Sequence, residues 1–117
     1  MSKEKQFIFC HNKQLTQLDL SDSCLEVCCT KNLITRLKIP INCERVDCEN
    51  NLIEHIDMTV ASKCVRLYCN DNRLENLEIS DSVESLHCNR NRLTRLILKE
   101  NVQNIHCREN FLTELKL

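Results

Sequence analysis

Hydrophobic residues recur along this chain in a unit of about 19 residues. Apolar residues or cysteines fill positions 1, 4, 6, 11, 14 and 16 of each unit, with Lys5 as the single exception, and asparagine fills position 9 after the first unit. The six units lie near residues 5–23, 24–42, 43–63, 64–82, 83–101 and 102–117. A fixed period of this length predicts a solenoid of six stacked coils, forming one domain over residues 1–117.

Two short strands are predicted in each unit. Apolar positions 4 and 6 alternate with polar neighbours, and positions 14 and 16 do the same, as in Leu77–Ile79. Stacked coils should pair these stretches as two parallel ladders around a shared interior. Because the chain has no glycine and one proline, we expect turns and short extended or 3₁₀ segments on the far side rather than helices. Two extra residues within Thr59–Lys63 predict a bulged turn in the third unit.

Cysteine occupies apolar positions in this repeat. The six residues at position 6, separated by 19, 19, 21, 19 and 19 residues, are Cys10, Cys29, Cys48, Cys69, Cys88 and Cys107. Three more, at position 1, are Cys24, Cys43 and Cys64. Val83 and Val102 replace them in the last two units, so cysteine serves here as a small hydrophobic residue. We expect nine reduced core thiols, an outward Cys28 and, with no apolar leader before the first unit, a cytoplasmic location.

The asparagine at position 9 should have a structural role. Its side-chain amide carries two donors and one acceptor, which can satisfy backbone groups of its own coil and of the next. The residues predicted to form this ladder are Asn32, Asn51, Asn72, Asn91 and Asn110. The first unit differs, with Lys13 at this position.

The combined pattern, L-x-x-L-x-C-x-x-N-x-L, resembles the leucine-rich repeat in its short, irregular class of 19–21 residues with cysteine at position 6. The resemblance extends over residues 5–117. It implies a curved parallel sheet whose concave face binds proteins. Family members in bacteria and large DNA viruses are often interaction factors, which would place the protein in host–pathogen interaction.

Function is expected on the outward positions of the first ladder. These positions carry mixed charges and one central tyrosine, and tyrosine and arginine are favoured anchors of protein interfaces. The residues predicted to bind a protein partner are Arg45, Asp47, Arg66, Tyr68, His87 and Arg108. The alternative is a solvated face with no dedicated ligand.

Other classes of function find less support in the sequence. A net charge of −1 does not favour nucleic acid or a membrane surface, and the outward positions offer no catalytic grouping. His87 and His106 should be neighbours, but further tetrahedral ligands are missing beside them, so we expect two stacked rings and no metal or other cofactor. Cys28 beside Lys31 is either a reactive thiol or an incidental surface cysteine. We therefore expect a non-enzymatic binding protein.

Phe7 and Phe9 form an outward aromatic pair on the first predicted strand. They either fold over the unpaired edge of the sheet or contact a partner, including a second copy of the chain. The second hypothesis for the protein is therefore a structural assembly unit that associates, for instance as a homodimer, through uncapped terminal repeats.

Overall fold

The chain winds as a parallel β-solenoid of about five turns. The structure, a computed structural model, describes residues 4–116 and the side chains of residues 4–114. Within that range it contains strands and turns but no helix. The strands are β1 (Gln6–Phe9), β2 (Cys24–Cys28), β3 (Arg36–Lys38), β4 (Arg45–Asp47), β5 (His55–Asp57), β6 (Arg66–Tyr68), β7 (Ser85–His87), β8 (Arg95–Ile97), β9 (Asn104–His106) and β10 (Glu114–Lys116).

A six-stranded parallel sheet runs along one side of the solenoid, in the order β1-β2-β4-β6-β7-β9. Equivalent positions of successive units pair directly, as Val27 does with Val46 and Val46 with Leu67. The ladder predicted from positions 4 and 6 is therefore confirmed. The repeat stacks in register, so every outward position of the sheet forms a straight column.

The second ladder is discontinuous, and the expectation that it would run through the stack is wrong. It consists of two separate parallel pairs, β3 with β5 and β8 with β10. Residues 76–78, between them in the stack, are not a strand although they have the same pattern. The two extra residues of the preceding unit form a turn in which the Thr59 amide donates to Asp57 Oδ1 at 2.9 Å. This longer turn follows β5 directly, and the ladder stops after β5.

Cysteines form part of the core, as predicted. Seven are buried, while Cys10 and Cys107 are half-buried against the core in the first and last units. All ten are free. Burial raises the pKa of the Cys29, Cys64 and Cys88 thiols to about 12, so these groups are neutral at physiological pH. The position 14 and 16 side chains of the last unit lie outside the described residues.

The position 9 asparagines hydrogen-bond adjacent coils together. Asn72 Nδ2 donates to the carbonyl of Cys69 in its own unit and to that of Cys48 in the unit before, at 3.2 and 3.0 Å. Its Oδ1 accepts the amide of Ile53 at 3.0 Å. Asn51, Asn91 and the other members of the ladder bond in the same manner, always to the preceding unit. The predicted ladder is confirmed, and each asparagine joins its own unit to the unit that precedes it in the chain.

Position 8 of each unit adopts a left-handed backbone conformation. Its φ values lie between 54° and 59° in Asn12, Lys31, Asn50, Asp71, Arg90 and Glu109. This region costs a residue with a Cβ about 1 kcal/mol, and glycine avoids that cost. The chain contains no glycine, so the same tight bend recurs with ordinary residues. After the first unit, it is followed at once by the inward asparagine of position 9.

Candidate functional site

Two columns of outward side chains cover the six-stranded sheet, and together they are called the outward face. The first column is Phe7, Glu26, Arg45, Arg66, Ser85 and Asn104. The second is Phe9, Cys28, Asp47, Tyr68, His87 and His106. Members of one column are direct partners on adjacent strands, about 4.8 Å apart in the backbone. The face therefore presents residues from distant parts of the chain as contiguous surface.

Three aromatic rings stack in the second column. The ring centroids of Tyr68 and His87 are 4.3 Å apart with an interplanar angle of 28°, and those of His87 and His106 are 4.1 Å apart at 21°. Stacking of this kind holds each ring in one orientation. The predicted stacking of His87 on His106 is confirmed, and Tyr68 extends the stack by a third ring.

The surroundings of His87 favour its uncharged form. Burial lowers the pKa of its imidazole, the neighbouring His106 lowers it further, and Asp47 acts in the opposite direction. Its Nε2 atom is buried and has no hydrogen-bond partner within the described residues. The neutral imidazole is therefore the favoured form in the folded protein.

Arg45 and Arg66 are direct partners in the first column. Their strands β4 and β6 are adjacent, and both side chains are exposed. Neither guanidinium makes an ion pair or a side-chain hydrogen bond with the part of the chain that the structure describes. Like charges placed opposite each other on neighbouring strands are destabilising. The outward face therefore carries two adjacent positive side chains that are not paired within the described chain.

Several carboxylates lie in and just after the second column of the outward face. Burial raises the pKa of Asp47, and it raises the pKa of Glu49, to which Asp47 adds a smaller contribution. Asp71 is already paired, because the guanidinium of Arg90 donates hydrogen bonds to both of its carboxylate oxygens, at 2.6 and 2.9 Å. Asp47 and Glu49 therefore bring acidic side chains close to the arginine pair, which also has Glu26 in its own column.

The structure places five of the six predicted partner-binding residues next to one another. Arg45, Asp47, Arg66, Tyr68 and His87 lie on the adjacent strands β4, β6 and β7. The sixth predicted residue lies at the edge of this group, because it follows β9, the strand next to β7. That residue is Arg108, which is exposed and whose backbone amide donates to Asn89 Oδ1 at 2.7 Å.

Asn70, two residues after Tyr68, does not belong to the outward face. It is only 8% exposed, and its Oδ1 accepts the backbone amide of Asn89 at 2.6 Å. Asn89 repeats this bond to Arg108, which gives a second, shorter asparagine ladder at position 7. The contiguous outward surface therefore does not include Asn70, and its edge lies at Tyr68 and Asp71.

The first strand exposes two aromatic rings. Phe7 is 56% and Phe9 68% exposed, so neither ring is folded away against the core. Cys28, beside Phe9 on β2, is half-buried, and Lys31 is exposed in the following bend. This apolar end of the outward face is separated from Tyr68 by the strand that carries Asp47.

Other parts of the described chain offer less defined sites. No group of three or more histidine, cysteine, aspartate or glutamate side chains among these residues is arranged to hold a metal ion. An open groove of about 640 Å³ lies away from the outward face, between the first two units, where Leu18, Leu20, Pro40 and Ile41 line it. In the same range, no helix has the length and apolar character needed to cross a membrane.

Comparisons with known proteins give no relative. No protein-family model matches the chain, and neither a curated protein nor a solved structure matches it significantly. The functional argument therefore rests on the residues of the outward face and their geometry.

Proposed function

We propose that the protein is a leucine-rich-repeat solenoid of six short coils that binds a protein partner without catalysing a reaction. In this proposal the six-stranded sheet is the concave face. The observation that carries it is the stacked column of Tyr68, His87 and His106 beside the exposed pair Arg45 and Arg66. The partner is expected to contact Arg45, Asp47, Arg66, Tyr68 and His87, with Arg108 at the periphery.

The physical basis of the proposal is preorganisation. Binding requires side chains to lose rotational freedom, which typically costs about 0.5–1.5 kcal/mol for each flexible side chain that is immobilised. Tyr68 and His87 are already held by stacking at 4.3 Å. A tyrosine fixed in this way, flanked by arginine, has the chemistry of an interface anchor.

A reducing compartment fits the rest of the molecule, and we propose a cytoplasmic location. Seven thiols fill the core as small hydrophobic groups, and all seven are fully buried. The net charge of −1 favours a protein partner over nucleic acid or an anionic membrane.

The proposal is tested by affinity capture from cell lysate with three purified proteins. These are the wild type, the face variant Arg66→Ala/Tyr68→Ala/His87→Ala, and a control that removes exposed residues of the second ladder, Arg36→Ala/Lys38→Ala/His55→Ala. The proposal expects a partner retained by the wild type and the control and lost from the face variant. Equal capture by all three, with the fold of each checked by circular dichroism, would contradict it.

Self-association is the second candidate function. It is favoured by the exposure of Phe7 and Phe9 on β1, an edge of the six-stranded sheet as described. Sedimentation equilibrium over a hundredfold range of concentration tests it. A mass that rises with concentration, and that Phe7→Ser/Phe9→Ser holds at the monomer, supports assembly through this edge. A constant monomeric mass rejects it.

A further inference from the structure

We infer that the group recognised at the centre of the outward face is an anionic side chain of the partner, a carboxylate or a phosphate, held by Arg45 and Arg66. This inference rests on the proposed function and specifies the chemistry of the partner. It follows from the position of the two arginines and from the groups that surround them.

The first step concerns the unneutralised charge of the pair. Arg45 and Arg66 are register partners on β4 and β6, both are exposed, and neither has a carboxylate partner among the described residues. Their backbones are about 4.8 Å apart, so both guanidinium groups can reach one anion. An anion bound between them would convert a repulsive contact into two charge-assisted hydrogen bonds.

Two other arginines show how a carboxylate of the chain itself can occupy this place. Arg90 is engaged by Asp71 through two hydrogen bonds, and Arg95 lies 3.5 Å from a carboxylate oxygen of Glu114. In those pairs the folded chain itself supplies the anion. Arg45 and Arg66 have no such carboxylate among the described residues, so an anion from solution can reach both guanidinium groups.

The second step locates the anion on the Arg66 side of the pair. Glu26 is the other register partner of Arg45, and Asp47 lies two residues further along β4. Both acids would repel an incoming anion. Arg66 has Ser85 as its other register partner, and in the next column it lies beside Tyr68 and His87. The positive charge is therefore least opposed over Arg66.

The third step concerns the hydroxyl and aromatic groups at that place. Ser85 and Tyr68 each carry a hydroxyl that can donate a hydrogen bond to an anion. Tyr68 is fixed by its stack on His87 and presents a rigid apolar surface beside the charge. An extended acidic segment could then place its carboxylate or phosphate over Arg66 and its aliphatic atoms against Tyr68.

Nuclear magnetic resonance titrations with defined peptides test the inference. The probes are an eight-residue peptide of alternating alanine and glutamate, the same peptide with glutamine, the same with lysine, and an alanine peptide with one phosphoserine. The readout is the side-chain Nε–Hε signals of Arg45 and Arg66. We expect the glutamate or the phosphoserine peptide to shift both signals, and the stronger of the two identifies the anion.

Matched variants complete the test. Since both charge-assisted contacts are removed, Arg45→Gln/Arg66→Gln should weaken binding of the anionic peptide by about tenfold. Arg36→Gln/Arg92→Gln removes two exposed arginines outside the face and should leave binding within about twofold. Unshifted arginine signals with both anionic peptides, equal shifts with glutamine or lysine, or unchanged binding by Arg45→Gln/Arg66→Gln would overturn the inference.

Failure of this inference can be distinguished from failure of the proposed function. Failure with the anionic peptides, while capture of a partner still depends on Arg66, Tyr68 and His87, removes only the anionic chemistry. Capture that is independent of the face removes the proposed function as well.

Discussion

Asn51 Nδ2 donates to the carbonyl oxygen of Cys29, one unit earlier in the stack, at 3.0 Å. The same side chain accepts the amide of Ile34 at 3.1 Å and donates to Cys48 in its own unit at 3.1 Å. One buried amide thus satisfies polar backbone groups on both sides of the boundary between two coils. Burying such groups without a partner is costly, so the asparagine ladder is a condition for the tight, glycine-free bends.

Replacing Asn51 by alanine should destabilise the protein strongly. The change leaves the buried Ile34 amide without a partner and removes one of the two donors to the Cys29 carbonyl, which keeps its bond from Asn32. An unsatisfied buried group typically costs about 1–3 kcal/mol, and each lost hydrogen bond adds to this. We expect the free energy of unfolding, measured by urea denaturation, to fall by about 2–4 kcal/mol. Asn76→Ala, at an exposed site, is the control and should change it by less than about 0.5 kcal/mol. A loss at Asn51 no larger than at Asn76 contradicts the structural role of the ladder.

A glycine at position 8 should stabilise the fold. Lys31 has φ of 56°, a conformation that penalises a residue with a Cβ. Lys31→Gly should raise the free energy of unfolding by about 0.5 kcal/mol, because relief of the backbone penalty exceeds the greater entropy of the unfolded chain. Lys38→Gly, at an exposed position of β3, should instead lower it. Thermal melts of both variants decide the matter, and a lower melting temperature for Lys31→Gly counts against the assigned backbone.

The sequence predicts the core and the outward columns because both follow from the repeat. Once Val46 and Leu67 are assigned to the same position, Arg45 must lie beside Arg66, and the structure has this pairing. The left-handed bend is harder to foresee, since Lys31, Arg90 and Glu109 have no preference for it. The bend is imposed by the neighbouring strand and the inward asparagine.

Two further features depend on relations between coils that a single unit does not encode. Leu77 has the same apolar pattern as Leu96, yet only Leu96 lies in a strand, because pairing requires the adjacent coil to be in position. Asn70 is buried by its bond to the Asn89 amide, a contact with the following unit. The pattern correctly grouped the outward residues, but it could not indicate which of them the neighbouring coils cover.

The native protein should protect most of its thiols from modification. Burial raises the pKa of Cys29, Cys64 and Cys88 to about 12, so the reactive thiolate is scarce and inaccessible at pH 8. In a native assay with a disulfide reagent, the half-buried Cys10, Cys28 and Cys107 should react before the seven buried thiols. In denaturant without reductant, all ten thiols should react. Rapid native loss of most thiols would contradict the core, and fewer than ten in denaturant would indicate disulfides.

Stability should fall as the pH is lowered through the range where histidine titrates. The pKa of His87 is lowered from its ordinary 6.5, chiefly by burial. The imidazole is therefore protonated at a higher pH in the unfolded chain than in the folded protein. As a result, the contribution of His87 to the free energy of unfolding is complete above about pH 6.5 and declines below that pH. The raised pKa values of Asp47 and Glu49 have the opposite effect at lower pH, because the folded protein takes up these protons before the unfolded chain does.

The control for this effect is His87→Phe, which keeps a ring between Tyr68 and His106 but removes the titrating group. Denaturation at about pH 7.5 and pH 5.5 should show a smaller loss of stability for the variant than for the wild type. Identical losses in the two proteins would mean that His87 does not titrate as its surroundings indicate.

The central claim, that the outward face binds a protein, is tested most directly by site-specific photo-crosslinking in lysate. A photoreactive benzoylphenylalanine replaces Ser85, on the outward face beside Arg66, or Ile97, which is exposed on the second ladder. The account predicts a discrete crosslinked partner from position 85 that an excess of unlabelled wild type competes away, and none from position 97. A partner crosslinked only from position 97, or equally from both positions, would contradict it.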